Sequence, residues 1–111
     1  MRQEDNLLRI ANRSHDYRLT ESVIDGLESQ ARLQQIARSA VLAHTRARAI
    51  NKIVDEGYLC ELLRTETNDF VQENALQKIN DIVLLSSLRL TGPQELQTRL
   101  REKIRNLSNS G

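Results

Sequence analysis

Residues 20–56 read TESVIDGLESQARLQQIARSAVLAHTRARAINKIVDE, a stretch with no proline and a single glycine, Gly26. It is rich in strong helix formers and holds no residue that obliges a helix to stop. Thr20 suits an N-cap, Glu21 favours the helix dipole, and Leu19 has the spacing of a hydrophobic staple to Ile24. A helix of about 35 residues, on the order of 50 Å long, is therefore expected from Thr20 to Glu56.

Within this stretch Leu33, Ile36, Ala40, Ala43, Ala47, Ile50 and Val54 follow the alternating three-four spacing of a coiled-coil seam. Alanine at its centre lets a second helix approach closely, so these residues are the expected self-association seam. Leu42, Ala49 and Ile53 lie about 100° round the same helix and form a second apolar face. The stretch after Asp69 repeats the pattern. There Ala75, Leu76, Ile79, Ile82, Val83 and Leu90 share one side, while Phe70, Leu84 and Leu88 project from another. Two helices with two apolar faces each exceed what a three-helix monomer buries, which points to a homodimer, with coverage by short flanking segments as the alternative.

Outward from that core, Gly57 offers the left-handed position that ends helices, so a bend is expected there, followed by a short helix over residues 58–63. Residues 65–69 read as a turn, and Asp69 with Gln72 approximates a capping box for a helix over 70–90. Thr91-Gly92-Pro93 ends that helix and starts a last one over 93–107, with Leu96, Leu100, Ile104 and Leu107 in one stripe and Arg99, Arg101, Lys103 and Arg105 outside it. Residues 1–18 form an N-terminal arm with a short helix around Leu7, Leu8, Ile10 and Ala11, residues 19–107 a single helical domain, and residues 108–111 a tail. No internal repeat stands out in the residue identities. The expected fold is all-α, a long central helix with two further helices, arranged as a helical bundle or an intertwined helical dimer.

The function classes are narrowed by composition. The 111 residues are 39% hydrophobic and 28% charged, with a formal net charge of +1, so no global field draws the chain to a polyanion. Cys60 is the single cysteine, which rules out an intrachain disulfide; with only His15 and His44 as imidazoles, no zinc-ligand spacing exists and no metal or cofactor is expected. Beside Leu59, Cys60 reads as a small buried hydrophobe. No apolar signal core follows Met1, and the longest aliphatic run, residues 82–85, is far short of the roughly 20 residues that cross a bilayer. A cytoplasmic protein without a membrane partner is the expectation.

Two charged clusters merit weighing. Arg38, His44, Arg48 and Lys52 share a helix side that suits phosphate or an acidic surface, against the plainer reading of a solvated face. Asp55, Glu56 and Glu61 gather near Gly57 without an acid–base partner, and no phosphate loop or nucleophile constellation is present, so no catalytic residue is assigned. The expected function is a non-enzymatic helical protein–protein interaction module, a regulatory adaptor, small chaperone or anti-factor, acting as a dimer on a protein partner. The alternative is an accessory nucleic-acid-binding protein using the basic helix face, for which Tyr17, Tyr58 and Phe70 are few stacking platforms.

Overall fold

A computed structural model describes residues 2–88 and 94–109; of residues 2–5 the backbone alone is described. The described residues form eight helices and no strand: α1 (Arg2–Arg13), α2 (Tyr17–Gly26), α3 (Gln30–Ser39), α4 (Ala43–Ile50), α5 (Glu56–Thr65), α6 (Asp69–Lys78), α7 (Ile82–Ser87) and α8 (Gln94–Asn109). They fall into two compact units, Met1–Val54 and Asp55–Gly111.

The long helix expected from Thr20 to Glu56 is replaced by α2, α3 and α4. The breaks use neither glycine nor proline. The residue after each of α2, α3, α5, α6 and α7 takes an extended backbone: Leu27, Ala40, Glu66, Ile79 and Leu88. Four of these are buried apolar side chains, Leu27, Ala40, Ile79 and Leu88. Turning the chain costs a few helical hydrogen bonds but places an aliphatic group in the core, and a ten-residue helix depends on such packing because it is marginal alone.

Starts are equally regular. The N-caps of α2 to α7 are Asp16, Ser29, Leu42, Asp55, Asn68 and Asp81, each thirteen residues after the last. All but Leu42 supply a side-chain oxygen to a first-turn N–H; Asp16, for example, accepts from Arg18 and Leu19. The start expected at Thr20 therefore lies one turn too late. Thr20 is fully buried, and Leu19, its expected staple, is 46% exposed.

The chain is thus an internal repeat, contrary to the reading of its residue identities. Two helices make one period of 26 residues, and its buried positions recur: Val23-Ile24 and Leu27, then Ala49-Ile50 and Ile53, then Ala75-Leu76 and Ile79. In the odd-numbered helices Leu33 and Ile36 recur as Leu59 and Leu62, then as Leu85 and Leu88. Within the first unit α1 packs on α2 and α3, and α4 packs on α2 and α3. The second unit repeats this pattern, with α5 on α6 and α7, and α8 on α6 and α7. Each unit is two helical hairpins, and the division at Val54 falls on a hairpin boundary.

Other expectations shift for the same reason. Gly57 sits in the first turn of α5, behind the N-cap Asp55, and makes no bend. The helix expected over 70–90 is divided by Ile79-Asn80-Asp81, and its cap is Asn68, whose side chain accepts from the Val71 N–H, instead of Asp69. Gln72 donates to the Glu66 carbonyl at 2.7 Å instead of closing a capping box. The N-terminal arm is largely α1 plus the start of α2, and α8 runs to Asn109, two residues past the expected end. Thr91-Gly92-Pro93 lies outside the described residues.

In the core of the first unit the hydroxyls of Thr20 in α2 and Thr45 in α4 share a hydrogen bond of 2.9 Å, both residues being fully buried. Thr20→Val strands the Thr45 hydroxyl and is expected to cost about 1–3 kcal/mol, whereas the double change Thr20→Val/Thr45→Val costs less than the sum of the two single changes. Urea denaturation of the four proteins measures this directly.

Candidate interaction surface

The repeat decides where the charged side chains go. In the first unit Arg48 of α4 reaches α2: its Nε and Nη2 donate to the two Asp25 carboxylate oxygens at 2.9 and 2.7 Å, and Nη2 lies 3.4 Å from Glu21 Oε1. One turn on, Lys52 Nζ donates to the carbonyls of Ile24, Asp25 and Leu27 at 2.9, 3.1 and 2.6 Å. Those carbonyls end α2, where the Ile24 carbonyl also accepts the Leu27 N–H, and the negative end of the helix dipole favours an ammonium there.

The second unit makes the same clasp. Arg99 of α8 pairs with Glu73 of α6 at 2.9 Å, and Lys103 Nζ donates to the carbonyls of Leu76 and Gln77 at 2.6 and 2.8 Å. Glu73, Leu76 and Gln77 stand 52 residues after Glu21, Ile24 and Asp25, two full periods. An Arg–x–x–x–Lys spacing in both Arg48–Lys52 and Arg99–Lys103 is the sequence signal that marks the device.

A second contact fixes the open end of a hairpin. Gln30 of α3 donates from Nε2 to the Lys52 carbonyl at 2.9 Å and accepts the Val54 N–H at 3.1 Å. One period later Glu56 of α5 accepts the N–H groups of Asn80 and Asp81 at 2.7 and 2.9 Å. The acidic cluster therefore has structural work: Asp55 caps α5, Glu56 ties the hairpin, and Glu61 pairs with Arg64.

These contacts remove the basic face expected from Arg38, His44, Arg48 and Lys52. Arg48 and Lys52 are turned onto α2, exposed His44 meets the Tyr17 ring edge-on at 5.7 Å, and Arg38 stands exposed in the last turn of α3. Arg48 holds the Asp25 carboxyl below its ordinary range through the side-chain hydrogen bond, and the guanidinium is raised in return.

The residues of the expected seam are not one seam. Leu33, Ile36 and Ala40 belong to α3 and its cap, and Ala43, Ala47 and Ile50 to α4; all but half-buried Ala43 are in the core, while Val54 is 76% exposed. Of the second faces, Ala49, Ile53 and Leu88 are buried, Leu42 and Leu84 are half-buried, and Phe70 is 46% exposed. Among the described large hydrophobic residues the most exposed are Val41, Val54 and Val83, at 50, 76 and 73%.

An open groove of about 320 Å³ between α6 and α8 is lined chiefly by the clasp itself, Glu73, Arg99 and Lys103 with Leu76, Gln77 and Glu102. Burial pushes the Lys103 ammonium below its ordinary value, opposed by the charge of Glu56. Among the described residues no group of His, Cys, Asp and Glu is placed to hold a metal ion, and no helix is long and apolar enough to cross a membrane. Cys60 is a buried free thiol, pushed up by desolvation. No known protein family, curated protein or solved structure matches the chain.

Two outcomes follow from this geometry. Lys52→Met and Lys103→Met each remove the ammonium from a helix C-terminus and are expected to cost about 1 kcal/mol in urea denaturation, with helicity retained. Native Cys60 is expected to react with an aromatic disulfide reagent at pH 8 at least about a hundredfold more slowly than the urea-unfolded chain. Burial raises its folded pKa above the ordinary 9.0, so its contribution to stability is complete below that pH and declines as the pH rises past it, a slope that Cys60→Ala removes.

Proposed function

We propose that the chain is a non-enzymatic helical interaction module, of the regulatory adaptor, small chaperone or anti-factor kind, that works as a homodimer and binds a protein partner. The supporting observation is the hairpin repeat. Its recurring positions hold the two hairpins of each unit together, which leaves the remaining surface positions, Val41, Val54 and Val83 among them, to vary for recognition. The polar groups are largely committed to caps and clasps: Arg48, Lys52, Glu56, Arg99 and Lys103 all hold backbone or a facing carboxylate.

A second reading, accessory nucleic-acid binding, has one observation in its favour. Residues 29–54 carry five cationic and no anionic side chains. Arg46, Arg48 and Lys52 among them bond within the unit, so this surface is weaker than its composition suggests.

The deciding experiment is cross-linked affinity purification of the full chain from its source cells, followed by reassembly of the captured complex from purified components. A single protein bound with micromolar affinity or better, and weakened at least about tenfold by Val41→Asp, Val54→Asp or Val83→Asp, is the expected outcome. Recovery of nucleic acid bound with a steep salt dependence, and of no protein, overturns the leading reading in favour of the second.

A further inference from the structure

In the first unit the turns of the two hairpins lie side by side. The Asn12 carbonyl, at the end of α1, accepts the Val41 N–H at 2.9 Å, and the Ser39 hydroxyl donates to Asn12 Oδ1 at 3.3 Å. Tyr17 at the start of α2 meets His44 at the start of α4. These contacts gather residues 12–18 and 38–46 at one edge of the unit, which carries Arg13, Arg18, Arg38 and Arg46 against a single carboxylate, Asp16. Asp16 is engaged in capping α2. Arg46 donates to the Ala40 carbonyl at 2.8 Å, which holds its guanidinium beside Val41. Arg13, Arg18 and Arg38 are exposed, and among the described residues none of the three is held in an ion pair.

Neither the helix ends nor the repeat requires this charge. Two helix C-termini, of α1 and α3, meet two N-termini, of α2 and α4, so the dipoles at the edge largely offset one another and the side chains set the field. Arginine in the last turn of α1 and α3 suits the local dipole, but Arg18 stands in the first turn of α2, where an anion is favoured, and neither α2 nor α4 opens on an acid. The second unit, built on the same repeat, serves as a comparison. There α6 and α8 open on Asp69 and Glu95, the turn before α6 holds Glu66, and Arg64, one period after Arg38, is paired with Glu61. The fold thus accepts the opposite charge at equivalent places.

We infer that this edge of the first unit is the docking site for an acidic segment of the protein partner, one in which Asp or Glu flank an aliphatic side chain. Guanidinium groups pair with carboxylates through two parallel hydrogen bonds, and every lysine of the chain lies elsewhere. Val41, 50% exposed among the arginines, gives the aliphatic side chain its contact. A nucleic-acid strand would use the same charges but leave Val41 unused, and the nearest ring, half-buried Tyr17, already faces His44. The inference rests on the proposed protein-binding module and names the chemistry of its partner.

A phage-displayed library of random peptides about twelve residues long, selected on the immobilised full chain, tests it. The recovered peptides are expected to be enriched in Asp and Glu around an aliphatic residue. In fluorescence anisotropy the triple change Arg13→Gln/Arg18→Gln/Arg38→Gln is expected to weaken their binding at least about thirtyfold, and Val41→Asp at least about tenfold. Arg101→Gln and Arg105→Gln in α8 are expected to leave it unchanged. All these side chains are exposed, and circular dichroism checks that helicity is retained. Peptides without acidic enrichment, peptides that bind the triple variant as tightly as the wild type, or no recovered peptide overturn this docking site and leave the protein-partner reading to the affinity purification. An oligonucleotide bound by the wild type and lost in the triple variant, with no acidic peptide recovered, gives the edge to nucleic acid instead.

Discussion

The burial of one aliphatic side chain in extended conformation at the ends of α2, α3, α6 and α7 is the constraint on which the rest depends. Leu27, Ala40 and Ile79 each leave the helical ladder and enter the core, and the next N-cap follows two residues later. The helices on either side then fold back as a hairpin, which aligns the apolar positions of neighbouring helices and brings helix ends to the cations that hold them. Without that burial the strong helix propensity of residues 20–56 would favour one continuous rod, with its two apolar stripes bare to water.

Much of the local structure was legible, and the reason for the main error is specific. Helical class, the turn over residues 65–69, the extra apolar stripe of the central stretch and the single stripe of the last helix all follow from composition and period. The breaks at Leu27 and Ala40 do not, because they involve ordinary helix-compatible residues whose extended backbone is fixed by packing far along the chain. A thirteen-residue period also imitates a coiled coil, since it differs from two heptads by one residue. Leu33, Ile36, Ala40, Ala47 and Ile50 thus keep nearly a three-four spacing while lying on two separate helices, and their burial lies inside hairpins.

The repeat was hidden for a related reason. Equivalent core positions hold different sizes, Val23 against Ala49 and Ala75, or Ala37 against Leu63, so identity scarcely recurs while burial does. The clasp is the more telling trace. Arg48 and Lys52 read as a basic patch when only their charge is considered, yet the acceptors they need, Glu21 and the carbonyls that end α2, lie about one period earlier. Their return as Arg99 and Lys103, above Glu73 and the end of α6, separates a structural device from a ligand site in a way that charge alone does not.

The clasp spacing also sets what kinds of change the chain can absorb. A lysine that binds main-chain carbonyls recognises a position and no particular side chain, so residues along α2 or α6 are free to drift in identity beneath it. Loss of a single residue within a helix is another matter: it turns the rest of that helix by about 100° and carries a cation away from the helix end it serves. Between helices the same loss is absorbed, since Arg99 and Lys103 stand 51 residues after Arg48 and Lys52, one short of two periods, and still hold Glu73 and the end of α6. Length is therefore fixed inside the helices and free to change between them, while the side chains vary almost continuously.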